Sequence, residues 1–198
     1  MSTVRILGID PGLNHTGWGV IESEGGVLRR IASGVIEPQK GETSTRLGVI
    51  ARGLGDVIRS YAPTSAACER VFVNVNPQST LLLGQARGAA LTAVALGGLV
   101  VEEFTPSEIK QAVTASGRAD KIMVQTMVGR LLNLSTILQA DEADALACAI
   151  CAASNLRLRA LECSGGTVRT YAIARRGASS RGARSAWTKL AESKEKKK

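Results

Sequence analysis

Apolar positions along the chain fall into short continuous runs and into stripes with helical spacing. Residues 4–9 form an unbroken apolar run apart from Arg5 and Gly8, closed by Asp10-Pro11-Gly12, which predicts a buried strand leading into a turn. Residues 16–21 run back as a second strand, and Val27, Leu28, Ile31 and Val35 mark a third, more exposed strand over 27–36. Beyond the loop Glu37-Pro38-Gln39-Lys40-Gly41, Leu47, Ile50, Leu54, Val57, Ile58 and Tyr61 recur at intervals of three and four. That spacing predicts a helix capped by Ser44 or Thr45 and ended by Pro63. Residues 66–72 read as a fourth strand, with Glu69 set among small apolar neighbours. A polar loop over 74–78 leads into a long helix over 79–96, which Gly97-Gly98 breaks before a fifth strand over 99–104. Thr105-Pro106 opens a short helix through Val113, residues 114–119 are expected to be flexible, and Asp120 caps a helix that runs to Leu132. A final helix covers 140–155. This order predicts an α/β fold, a mixed five-stranded sheet flanked by helices.

At 198 residues and 44% hydrophobic content the chain can bury a substantial core. Its net charge of +8 is unevenly placed: residues 1–156 hold 13 Lys and Arg against 14 Asp and Glu, and residues 157–198 hold 12 against 3. Two parts are therefore expected, a folded domain over 1–156 and a basic, flexible C-terminal tail over 157–198. A cationic tail beside a near-neutral body suits a polyanion partner, nucleic acid above all, or serves solubility alone. The longest apolar stretch, 89–101, is too short to span a bilayer, and Arg5 and Asp10 interrupt the only early apolar run, so no membrane association is expected. The four cysteines fit no disulfide framework, and Cys148-x-x-Cys151 lies in an apolar helical run, as packed core thiols would. A cytoplasmic, reducing location follows.

Four acids carry the candidate chemistry. Asp10 ends the first strand, where it is either a turn residue or a carboxylate held for a purpose. Asp141 and Asp144 are three apart and share one face of the last helix, where acids in the first turn also suit the helix dipole. Taken with Glu69, they make two acids from strands and two from a helix, all among small or apolar residues. Four carboxylates converging on one pocket would repel, and divalent cations relieve that repulsion. Oxygen donors without Cys or His select magnesium, or manganese in its place, over zinc. Two such ions about 4 Å apart stabilise the attacking and leaving oxygens in phosphodiester cleavage.

The blocks L-G-I-D-P-G with T-G-W-G-V-I, then C-E-R-V-F, L-G-Q-A-R-G-A-A and Q-A-D-E-A-D-A-L-A, in this order and spacing, resemble the RuvC family of bacterial Holliday-junction resolvases. The resemblance covers residues 4–156 and implies an RNase H-like fold. It further implies that Asp10, Glu69, Asp141 and Asp144 are catalytic acids holding two magnesium ions per subunit. A homodimer would make paired, symmetric nicks in four-way junction DNA during recombination and repair, leaving 5′-phosphate and 3′-hydroxyl ends. Cooperation with the RuvA–RuvB branch-migration complex is implied as well.

Phe72, Lys110, Arg118 and Lys121 are the candidate DNA contacts. Lys110 and Lys121 flank the 114–119 segment and match lysine positions of the family, where a point charge suits phosphate. Phe72, a rare aromatic in this chain, either stacks on an unpaired base or belongs to the core. Arg87 falls on the helix that resembles the family's dimer interface, and His15, the single histidine, reads as an exposed turn residue. Two other functions fit parts of the pattern: a non-catalytic nucleic-acid-binding module with structural acids, and a relative of the actin-like ATPases. The second lacks the chain length for its two domains.

Overall fold

A computed structural model describes residues 3–70 and 76–163, with side chains through residue 160. Among the described residues five strands and five helices follow one another as β1 (Val4–Asp10), β2 (Thr16–Glu24), β3 (Val27–Ile36), α1 (Thr43–Tyr61), β4 (Ser65–Glu69), α2 (Pro77–Leu96), β5 (Val101–Phe104), α3 (Pro106–Thr114), α4 (Lys121–Leu131) and α5 (Ala140–Cys163). The sheet order is β3-β2-β1-β4-β5. The first three strands form an antiparallel meander, and β4 and β5 join it in parallel, so the sheet is mixed. A register shift at Val20/Ile21 bends the β2–β3 pair, and β3 is the outer strand on that side.

Alternation along β1 divides the core in two. Leu7 and Ile9 face α1 and α2, packing with Ile50, Leu54, Ala86, Ala90 and Val94. Ile6 faces α3, α4 and α5, packing with Ile109, Val124, Leu146 and Ile150. Gly8 and Asp10 share the parity of Ile6 and therefore point toward α5.

Several boundaries differ from the periodicity reading. Neither Ser44 nor Thr45 caps α1: the N-cap is Glu42, which makes no side-chain cap bond, and its carbonyl accepts from the Arg46 amide at 3.1 Å. Helix α2 begins at Pro77, two residues early, because Asn76 Oδ1 accepts from the amides of Gln78 and Ser79. Strand β4 ends at Glu69, with Arg70 already outside it, and residues 71–75 of the expected strand and loop lie outside the described residues. Helix α5 runs eight residues past Asn155, since residues 156–163 contain neither Gly nor Pro. Residues 164–198, which hold most of the basic tail, also lie outside the described part. Cys68, Cys148 and Cys151 are buried free thiols, as core residues should be.

Candidate active site

Asp10 and Glu69 come together through strand pairing. In the parallel β1–β4 ladder Ile9 faces Cys68, so the next step sets Asp10 beside Glu69 at the carboxyl ends of neighbouring strands. Glu69 shares the parity of Ala67, which packs in the α5-side core, so both carboxylates point to that face.

The other two acids arrive on α5, which crosses that face at unusually close range. A Cβ built on Gly8 would lie 1.9 Å from the Ala145 carbonyl oxygen, and one on Gly17 would lie 1.9 Å from that of Asp141. Gly17 is the partner of Asp10 in the β1–β2 register. Only glycine permits this approach, which brings the first turn of α5 down beside Asp10. The turn is fixed from the other side by Glu142. Its carboxylate accepts from Ser33 Oγ at 2.5 Å, from Arg30 Nη1 at 3.3 Å and from the Gln139 amide at 3.3 Å, tying α5 to β3 and capping the helix at once.

The electrostatics record the convergence. Burial first, then the charges of Asp144, Glu69 and Asp141, push the Asp10 carboxyl up to about 7. Burial and Asp144 raise Glu69 as well, with Lys110 and Lys121 opposing. Lys121 Nζ lies 2.8 Å from Asp144 Oδ2. Glu69, Asp144, Lys110 and Lys121 line one pocket of about 270 Å³ with Pro106, Ile109, Val124 and Ala147. Among the described residues, no three acidic, histidine or cysteine side chains are gathered tightly enough to hold an ion as they stand. The chemistry of the donor set nonetheless fits a hard cation: it offers carboxylate oxygens alone, whose mutual repulsion favours a proton on Asp10 despite the lysine paired with Asp144.

The loop after Asp10 is held in place by residues that periodicity does not reveal. The fully buried Thr16 donates from Oγ1 to the Gly12 carbonyl at 2.7 Å. Arg46 on α1 reaches Leu13 O at 3.0 Å and Asn14 Oδ1 at 2.6 Å. His15 is exposed, 3.6 Å from Glu37. Arg118 is exposed. The segment expected to be flexible around it is braced by Gln111, whose side chain bonds Ala115 O and the Gly117 amide. Arg87 pairs with Glu103 of β5 at 2.6 Å within the chain. Phe72 lies outside the described residues.

The model of the family described as Crossover junction endodeoxyribonuclease RuvC matches residues 6–152. The chain belongs to the RuvC family. A RuvC from Burkholderia cenocepacia (strain HI2424), a crossover junction endodeoxyribonuclease, is 56% identical over 148 residues, which cover 75% of this chain and 82% of that protein. RuvC of T. thermophilus in complex with Holliday junction substrate superposes with a TM-score of 0.75 at 30% identity, covering 79% of this chain and 96% of that one. The yeast mitochondrial Holliday junction resolvase Ydc2 shares the fold, with a TM-score of 0.59 at 12% identity over 82% of this chain and 86% of that one. The RuvC architecture expected from the motifs, an RNase H-like mixed sheet flanked by helices, is the one observed.

Proposed function

We propose that this chain is a magnesium-dependent resolvase that cuts four-way DNA junctions by paired, symmetric phosphodiester hydrolysis, leaving 5′-phosphate and 3′-hydroxyl ends. Its family is one of nucleases, and the observation that carries the finer reading is the charge shared by Asp10, Glu69, Asp141 and Asp144. Asp10 is the acid to which the other three couple, so it is assigned the central place in holding two magnesium ions, with manganese able to substitute. When bound, the ions supply charge stabilisation at the attacking and departing oxygens. Asp10 must give up its proton to serve as a ligand, which its raised pKa makes easiest above neutral pH. Glu69 and Asp144 open onto the pocket where Lys110 and Lys121 can hold a phosphate. Phe72 is assigned to DNA contact from its resemblance to the family, and Arg118 from its exposed charge between the two lysines.

Symmetric cutting needs two copies. The outward side of α2 supports a homodimer: Leu81 and Leu96 are exposed, and Gly84 and Gly88 have open space above them, so a second helix can approach closely. Cooperation with RuvA–RuvB and a cytoplasmic location are inferred from the family. No helix among the described residues is long and apolar enough to cross a membrane.

The test uses the full chain with a synthetic four-way junction and a matched linear duplex, in magnesium and in chelator. Symmetric nicks in the junction alone, and only with metal, are expected. Asp141→Asn should abolish cutting and keep junction binding in a gel shift, because removing a negative charge cannot weaken attraction to DNA. Cutting by Asp141→Asn at the wild-type rate would remove that residue from the mechanism.

A further inference from the structure

Lys121 occupies a place that its own helix does not favour. It is the first residue of α4, and the partial positive charge of a helix N-terminus disfavours a cation there. What holds the ammonium is the group of acids: it is hydrogen-bonded to Asp144, and the charges of Asp144, Asp10 and Asp141 all favour its protonated form. In return its charge lowers the proton affinity of both Asp10 and Glu69. Lys110 lines the same pocket and acts on Glu69. The Lys121 side chain is 60% exposed against 25% for Asp144. Rotation of its stem can therefore withdraw the ammonium without opening the core.

We propose that Lys121 is an internal counter-ion, which takes the place of a divalent cation among the carboxylates and yields it, freeing its ammonium for a DNA phosphate, when metal binds. The proposal rests on reading the four acids as metal ligands. A hard cation and an ammonium compete for the Asp144 carboxylate, which Lys121 holds at Oδ2, so each weakens the other's hold. The competition is reciprocal: a phosphate that draws Lys121 away tightens metal binding, and bound metal makes the lysine available to the junction. Metal loading and DNA grip are thereby coupled through a single side chain.

Titration calorimetry of Mn²⁺ into the full chain without DNA tests this with no reliance on activity. Lys121→Met removes the competitor and keeps most of the stem, and it should bind Mn²⁺ about fivefold to tenfold more tightly than wild type. Lys121→Arg retains the cation and should stay within about twofold of wild type. Lys110→Met removes a charge from the same pocket, and should tighten binding clearly less than Lys121→Met. Equal affinity in wild type and Lys121→Met overturns the proposal, and so does equal tightening by the two methionine variants, which would reflect the general field alone. Either failure leaves saturable Mn²⁺ binding that Asp141→Asn weakens. Absence of Mn²⁺ binding to wild type, or indifference to Asp141→Asn, instead overturns the metal-site reading and the proposal with it.

Discussion

Gly17 faces the backbone of Asp141 so closely that a methyl group on it would lie 1.9 Å from the Asp141 carbonyl oxygen. The atom in the way belongs to a helix backbone, so no rotamer change relieves the overlap. Gly17→Ala should lift the first turn of α5 from the sheet and cost about 3 kcal/mol, at the upper end for overpacking. Urea denaturation measures the loss. Nicking should fall further than stability accounts for, because the same turn carries Asp141 and Asp144.

The raised pKa of Asp10 gives metal-free stability a definite pH dependence. The folded protein holds this proton up to about 7, whereas the unfolded chain releases it near an ordinary carboxylate value. The native state therefore binds more protons between about pH 4 and pH 7, and stability in chelator should fall as pH rises through that window. The loss is bounded at about 4 kcal/mol. Asp10→Asn should flatten the slope in urea melts taken across pH, and saturating magnesium should reduce it in wild type.

Glu142 is an acid of the same helical turn with a different task. It holds Ser33 and Arg30 of β3 while capping its own helix. Glu142→Ala should cost about 1–2 kcal/mol from the lost cap and partners. Because the acids on either side lose their anchor, metal affinity should also weaken about tenfold, as when an outer-shell partner is removed. Glu142→Gln keeps the acceptor oxygen and should recover part of both. Calorimetric metal titration beside denaturation separates the two effects.

If the basic C-terminal residues contact phosphates, truncation after residue 163 should reduce the slope of log junction affinity against log salt. Ten Lys and Arg are removed, and the change in slope reports how many of them displaced counterions. An unchanged slope would assign those residues another role.

Much of this architecture is legible in the chain because its signals are local. Strands β1 to β3 are short runs punctuated by Pro11-Gly12 and Gly25-Gly26, and α3 announces itself by the reciprocal Thr105–Glu108 capping box. The start of α1 is not legible, since Glu42 caps it without a side-chain bond. Asn76 resembles a loop residue until its amide oxygen is seen to accept two backbone amides. At the site, the spacing of Asp141 and Asp144 reveals a shared helical face, but the meeting of Asp10 with Glu69 depends on parallel pairing of strands far apart in sequence. The Gly8 and Gly17 positions were visible as glycines, and their purpose emerges only when α5 lies against them.

The outermost strand β3 has a consequence of another kind. Ten residues long, it presents one edge without a neighbour among the described residues, the sort of edge on which identical chains can stack into aggregates. Arg29 and Arg30 stand near its start, Arg30 tied to Glu142 of α5, and the bend at Val20/Ile21 twists the ribbon beside them. A strand laid on that edge would meet a basic side chain and a bent ribbon in place of a flat template, which makes stacking of one sheet on another unfavourable.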